Sequence, residues 1–371
     1  MKKFLVLLIA GCWLLIAGAH AEIKVDITAG DLQPIPIAVQ KPDVSGGARA
    51  ADAAMLQSVI SADLKSTGLF HIINPDAFPE NVAFDSMPKF ADWAAIKTQV
   101  LVQSKLTVSG DKYSLHFYVW DINGKEQIEA QILTASKKSL RRLAHITADA
   151  IYERLTGEVG YFDTQIVFIA ESGPVDNRTK RLAVMDSDGF GLRYMSDGKT
   201  MVMSPHFSPN MQTIIFLSYY NDEPSVWTLD MNTGAQKRLG KFGGMTFAPR
   251  WSPDGTRVAM SLEEQGATNI FEYDTRANTM RRLTSGDGIN TSPAYSPDGK
   301  QLAFNSNRSG SQQLHLLDLQ SGDEKRLSFG AGRYATPAFS GDGRFIAFTK
   351  ISDDTFYIGV MDRRGKNEHI L

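Results

Sequence analysis

A repeat of 44 residues in the second half of the chain is the feature that most restricts its fold. Four segments align with one another, and their central prolines are spaced 44 residues apart: Pro205, Pro249, Pro293 and Pro337. A series of aspartates has the same spacing: Asp186, Asp230, Asp274, Asp318 and Asp362. Because the unit has the length of a propeller blade and shows no helical pattern, it predicts an all-β propeller over residues 161–371.

Each repeat predicts four short strands that form one twisted sheet. A Pro-x-aromatic strand leads into a Ser-Pro-Asp-Gly turn, in which proline presets φ and glycine tolerates a positive φ. Two further strands and a charged outer strand follow, and the charges protect an exposed sheet edge. Because such a sheet cannot bury both faces alone, the aromatic residues of the first strands are expected to pack against neighbouring blades: Phe207, Trp251, Tyr295 and Phe339.

The first repeat is incomplete. Residues 166–195 match strands two to four of a blade without a preceding first strand. A closed propeller takes that strand from its C-terminus, yet Leu371 ends the fourth full repeat. We therefore expect a partial propeller, a C-terminally truncated fragment that lacks roughly one blade and one closing strand. A further repeat proline near position 381 in the downstream reading frame is the corresponding test.

Residues 22–157 show no repeat and predict an α/β N-terminal domain. Apolar side chains at helical spacing predict helices over 51–65, 89–98 and 140–155. Alternating runs predict strands at 35–39, 69–73, 100–108, 113–120 and 128–133, with a strong hairpin signal at Asn123-Gly124. We expect Gly157 to end the last helix, which puts the domain junction at 156–160, and the N-terminal segment 22–33 to be flexible.

The first 21 residues predict a cleavable secretory signal. Lys2 and Lys3 precede an apolar run that ends in the small-residue triplet 19–21. Residues 9–12 also resemble the cleavage box of bacterial lipoproteins, but only about seven apolar residues precede Cys12, the low end for a signal core. We therefore expect cleavage after Ala21.

Composition excludes several kinds of function. Cys12 is the only cysteine, so the cleaved protein has no thiol for disulfides, thiolate metal sites or nucleophilic catalysis. Cleavage removes two lysines and changes the formal net charge from −2 to −4, which does not favour a nucleic-acid partner. No other run is long enough to span a bilayer.

No catalytic motif occurs in the sequence: a nucleophile elbow, a zinc-protease helix, a P-loop and a dinucleotide fingerprint are all missing. Ser252 and Asp254 could be taken for a nucleophile and an acid, but equivalent residues recur in other repeats, as turn residues would. His315 stands where sister repeats carry aromatic residues, which predicts a core histidine. His206 stands where they carry Arg250 and Ala294, which argues against a ligand set. The sequence thus predicts no catalytic, cofactor or metal site.

The loops that lead into the first strands are the best candidates for a binding surface. They lie at Met203-Ser204, Thr246-Phe247, 289–292 and Tyr334-Ala335. These residues vary within an otherwise regular repeat and include apolar and aromatic types, as partner surfaces do. Tolerance to change in unconstrained loops is the competing interpretation.

The combination of signal, α/β domain and Ser-Pro-Asp-Gly blades resembles the TolB family, the periplasmic β-propeller proteins of the Tol-Pal cell-envelope system. The blade motif alone is unspecific, because prolyl oligopeptidases and other propellers share it. The N-terminal domain is more specific to the family. Its sequence resembles that of family members at three segments: Glu22 to Ile27, Pro34 to Val39, and Tyr152 to Gly157. The family closes six blades, whereas this chain supplies four and part of another.

The resemblance implies binding functions and no enzyme activity. The propeller would bind the outer-membrane lipoprotein Pal, and Thr246, Asn290 and Thr291 match the family's Pal-facing loops. The C-terminal domain of the inner-membrane protein TolA would bind the segment Glu22, Ile23, Lys24, Val25, Asp26 and Ile27. The two interactions are coupled in the family.

Two alternatives remain open from the sequence. The chain could be the propeller portion of a prolyl-oligopeptidase-like hydrolase, in which case a nucleophile elbow would follow Leu371. It could also bind a glycan in its channel, in which case saccharides would shift its melting temperature.

Overall fold

A computed structural model describes residues 33–242 and 244–371. The expected signal over residues 1–21 and the segment Glu22 to Ile27 lie outside the described residues. The chain divides after Thr164 into two compact units. No helix among the described residues is both long and apolar enough to cross a membrane.

The first unit is a mixed sheet with helices. Its strands are β1 (Ile35–Val39), β2 (Asp43–Ser45), β3 (Phe70–Ile72), β4 (Val100–Ser109), β5 (Lys112–Asp121) and β6 (Glu126–Ser136). They form one sheet in the order β3-β1-β4-β5-β6, with β2 paired to β4. The pairs among β1 to β4 are parallel, and the hairpins β4-β5 and β5-β6 are antiparallel.

Both faces of this sheet are covered. The helices α1 (Ala50–Ser66) and α3 (Leu140–Thr156) contribute Leu56, Ile60, Leu143 and Ile151 to one buried cluster with the strands. The short helix α2 (Phe90–Ala95) places the fully buried Trp93 in a second cluster with residues of β1, β4 and β5. Burial on both faces explains why the first five residues of β4 are all buried rather than buried in alternation.

The predicted helices and strands of this unit are all present, but β2 was not predicted and several elements differ in extent. The helix expected over 89–98 ends at Ala95, because Lys97 adopts a left-handed conformation with φ of 62°. The hairpin strands β5 and β6 extend beyond the predicted 113–120 and 128–133. Gly157, with φ of 76°, ends α3 as predicted.

Residues 161–163 stay with the first unit, downstream of the expected junction at 156–160. Phe162 is buried in the cluster that α1 and α3 share. The backbone N–H groups of Phe162 and Asp163 donate to the two carboxylate oxygens of Asp149 at 2.7 and 3.0 Å. These bonds tie the connecting segment to α3.

The second unit contains the predicted blades. Its three-stranded sheet consists of β7 (Gln165–Ser172), β8 (Thr179–Asp186) and β9 (Arg193–Tyr194). Two four-stranded sheets follow: β10 (Val202–Phe207), β11 (Thr213–Ser218), β12 (Ser225–Asp230) and β13 (Gln236–Arg238), then β14 (Thr246–Trp251), β15 (Arg257–Glu264), β16 (Ala267–Asp274) and β17 (Thr279–Arg282).

Two more four-stranded sheets complete the described part of this unit: β18 (Asn290–Tyr295), β19 (Gln301–Ser306), β20 (Gln313–Asp318) and β21 (Glu324–Arg326), then β22 (Arg333–Phe339), β23 (Phe345–Ser352), β24 (Thr355–Asp362) and β25 (His369–Ile370). Each sheet is an antiparallel meander in chain order. The four sheets of four strands match the four full repeats of the predicted propeller, and the three-stranded sheet matches its incomplete first repeat.

The aromatic residues of the first strands join successive blades, as predicted. Trp251 packs on Ile215 and Val226 of the preceding blade. Tyr295 packs in the same way on Ala259 and Ile270. Each blade thus covers an apolar face of its neighbour, and this contact stabilises the array.

A bulge interrupts each first strand at the residue before the repeat proline. In β14, Thr246 pairs with Leu262 and Arg250 pairs with Ala259, so the register shifts by one residue between them. The bulged Ala248 has φ of 52°. Because side chains alternate along a strand, this shift directs Thr246 and Arg250 to opposite faces.

Candidate functional site

The loops before the first strands place side chains of three different exposures at equivalent positions in the blades. Three residues before each repeat proline, the side chain is buried: Val202, Thr246, Asn290 and Tyr334. Two residues before it, the side chain is half-buried: Met203, Phe247, Thr291 and Ala335. Four residues before it, the side chain is exposed: Met201, Met245, Ile289 and Arg333. We call these twelve positions the rim.

Of the residues matched to the family's Pal-facing loops, Asn290 is fully buried. Its amide donates to the carbonyl of Thr268 at 3.2 Å and to the side-chain oxygen of Asn269 at 3.0 Å. Its own side-chain oxygen accepts from Arg308 at 2.7 Å. These bonds engage both ends of the amide, so Asn290 holds the loop in place.

Thr246 and Thr291 differ from each other. Thr246 is 1% exposed, and its hydroxyl has no hydrogen-bond partner among the described residues. Thr291 is half-buried and accepts a hydrogen bond from Asn305 at 2.7 Å. Among the three matched residues, Thr291 is therefore the one positioned to touch a partner directly. Contact of all three with the lipoprotein stays a prediction.

The loops named from the sequence include Ile289 but not Met201 and Met245, which are the other two exposed apolar residues of the rim. Met201, Met245 and Ile289 are 41%, 46% and 43% exposed, although each is a large apolar residue. Their spacing of 44 residues was available in the sequence, but nothing local distinguishes an exposed rim residue from a buried one. Apolar side chains repeated at one exposed position are typical of a partner surface.

The serine–aspartate pairs of the turns hold those turns together. Ser252 donates to Asp254 at 2.5 Å, and its hydroxyl accepts from the N–H of Arg257 at 2.9 Å. The serine hydroxyl bond and the backbone N–H of Thr256 lower the pKa of Asp254 to about 2. Equivalent serine-to-acceptor bonds occur in the other three full blades, at 2.6 or 2.7 Å. A repeated, internally satisfied pair is structural and supplies no nucleophile.

His315 is a core residue, as its place in the repeat predicts. It is 5% exposed, stacks obliquely on Phe304 with ring centroids 5.6 Å apart, and has Nδ1 3.0 Å from Glu324.

The comparisons with known proteins agree with these observations. A family model for the TolB beta propeller domain matches residues 152–371, and one for the TolB amino-terminal domain matches residues 23–128. The Tol-Pal system protein TolB of Paramagnetospirillum magneticum is 45% identical over 234 residues, which cover 62% of this chain and 52% of that protein. The chain spans about half the length of this curated relative.

A solved structure shows the same architecture. The crystal structure of TolB from Acinetobacter baumannii superposes with a TM-score of 0.81 and 25% sequence identity, and the match covers 91% of this chain and 83% of that one. Family membership favours a component of the Tol-Pal system over the hydrolase alternative. Since the propeller match alone covers more than half of the sequence, the chain belongs to the TolB family.

Proposed function

We propose that this protein is a periplasmic adaptor that links the outer-membrane lipoprotein Pal to the inner-membrane protein TolA. In this role it supports envelope integrity and constriction of the outer membrane at cell division. The propeller rim binds Pal, and residues Glu22 to Ile27 bind the C-terminal domain of TolA. No catalytic step is part of the function.

The observation that carries the Pal assignment is the exposed apolar set Met201, Met245 and Ile289. Side chains of this kind cost free energy in water and regain it when a partner covers them. The loop beneath Ile289 is held firmly, since its N–H donates to the side chain of Asn307 at 2.7 Å. A rigid apolar surface loses little conformational entropy on binding, so such residues often dominate affinity.

Calorimetric titration with the soluble domain of Pal tests the rim. Replacing Met245 or Ile289 with Asp should weaken binding by about tenfold or more, because each substitution buries a charge at an apolar contact. Met280 provides a matched control: it is 39% exposed but lies on the outer strand β17. Met280→Asp should bind Pal like the wild type, and equal losses at Met245 and Met280 would refute the rim assignment.

Deleting residues 22–27 tests the second interaction. The deletion should abolish binding of the TolA C-terminal domain and leave binding of Pal in place, because the rim residues are unchanged in the deleted protein. Retention of TolA binding by the deleted protein would show that the family's TolA-binding segment does not carry over to this chain.

A further inference from the structure

A cavity of about 380 Å³ lies where the first strands of the four full blades converge. It is lined by residues from the later part of each first strand and from the turns that follow, among them Pro209 and Pro253. Arg250 follows Thr246 by four residues along β14, which is about 13 Å of extended strand. None of the twelve rim residues lines the cavity, although Thr336 of its lining directly follows the rim residue Ala335.

The repeat explains why the cavity exists. The residue after the repeat proline lines it in all four blades, and these residues are His206, Arg250, Ala294 and Ala338. Two neighbouring blades thus contribute large nitrogen-bearing side chains, while the other two contribute alanines. The alanines leave space in front of the arginine and the histidine.

Three nitrogen-bearing side chains of the cavity have hydrogen-bonding capacity that the described residues leave unused: Arg250, His206 and Trp251. Arg250 donates to the carbonyl of Pro249 at 2.9 Å and forms no ion pair with a carboxylate among the described residues. Nδ1 of His206 and Nε1 of Trp251 are buried and have no hydrogen-bond partner among the described residues. Among the described residues, no aspartate or glutamate lines the cavity.

The other polar side chains of the lining are already engaged within the protein. The hydroxyl of Tyr295 donates to Glu272 at 2.8 Å, and that of Ser252 bonds within its turn. The remaining lining is apolar or aromatic and includes Phe207 and Phe339. The side chain of Arg250 is half-buried against this lining, and a charge in apolar surroundings without a carboxylate partner is unfavourable unless an anion binds to it.

We propose that this cavity binds a small organic carboxylate, with the carboxylate on Arg250 and the apolar body against Phe207, Tyr295 and Phe339. The planar guanidinium presents paired donors that match the two oxygens of a carboxylate. The volume is near the lower end for small-molecule sites, which limits the ligand to about the size of a substituted benzoate. A monoanion balances the single arginine, whereas a phosphate dianion would leave a second buried charge unpaired.

Titration calorimetry with benzoate as the probe tests this site, with neutral benzamide and inorganic phosphate as comparison ligands. Benzoate should bind at one site per chain and at least about tenfold more tightly than either comparison ligand. Arg250→Met should weaken benzoate by about tenfold or more, and Arg250→Lys should weaken it less. The control is Arg276→Met, which removes an exposed turn arginine and should change nothing.

Ala338→Leu tests the same site without altering its charge. The larger side chain fills the space in front of Arg250, so benzoate binding should be lost while the protein stays folded. Equal binding of benzoate and benzamide, tighter binding of phosphate, or unchanged affinity in both Arg250→Met and Ala338→Leu would overturn the proposal. Binding of Pal and TolA is not needed in any of these measurements, so the result does not depend on the adaptor function.

Discussion

His206 lies at the position that Arg250, Ala294 and Ala338 hold in the other full blades, but an imidazole differs from their side chains in its chemistry. Burial, and then the positive charge of Arg250 from β14, lower its pKa from 6.5 to about 4. In the part of the chain that the structure describes, no acidic side chain lines the cavity to oppose this shift. Arg250 responds in the same sense, since burial lowers its pKa as well. The imidazole is therefore neutral in the folded protein at neutral pH.

This shift makes stability depend on pH. Between pH 6.5 and 4 the unfolded chain protonates His206 and the folded chain does not, so the unfolded state binds more protons and stability falls as the pH falls. At pH 4.5, two units below the ordinary histidine pKa of 6.5, this difference in protonation lowers the free energy of unfolding by about 2 to 3 kcal/mol. His206→Gln removes the titrating group, so its free energy of unfolding should fall less than that of the wild type between pH 7 and 4.5.

Urea unfolding at the two pH values measures the effect as a difference between the two proteins, which cancels the contributions of other titrating groups. The matched control is His116→Gln, which removes a half-buried histidine on β5 in the first unit. Identical pH dependence in the wild type and His206→Gln would contradict the burial of a neutral imidazole.

At the scale of elements, a buried polar pair joins the two long helices of the first unit. Nδ1 of His145 on α3 lies 2.7 Å from a carboxylate oxygen of Asp63 on α1, and both side chains are 3% exposed. Leu64 and Ala144, which are next to the pair in sequence, belong to the buried apolar cluster of this unit. In such surroundings each group depends on the other for its hydrogen bond.

Removing one partner should therefore cost more than removing both. Asp63→Ala leaves a buried imidazole without its acceptor and should lower the free energy of unfolding by about 3 kcal/mol. The double variant Asp63→Leu/His145→Leu replaces the pair with apolar groups and should recover at least half of that loss. Chemical unfolding of the three proteins decides the matter, and a double variant less stable than Asp63→Ala would show that the pair is net stabilising.

Elements were predictable from the sequence where local pattern decides them. The period of 44 residues located every full blade, and helical spacing located α1 and α3 to within one residue at each end. The burial of Thr246 and Asn290 was not predictable, because adjacent blades cover these residues and no local pattern records that. The same limit applies to Arg250, whose place in a cavity depends on alanines in two other blades.

For the molecule as a whole, the two units have separate cores. The clusters that contain Leu56 and Trp93 lie before Thr164, and those that contain Phe216, Met260, Phe304 and Phe348 lie after it. A unit with its own core can unfold cooperatively by itself. Two transitions are then expected in scanning calorimetry, rather than one.

A partner that binds the rim should stabilise only the second of these units. Free Pal at one hundred times its dissociation constant adds about 2.7 kcal/mol to the stability of the folded unit that it binds. The soluble domain of Pal should therefore raise the propeller transition and leave the other in place, while Asp63→Ala should lower only the transition of the first unit. Movement of both transitions by either change would show instead that the two units unfold together and that partner binding stabilises both of them.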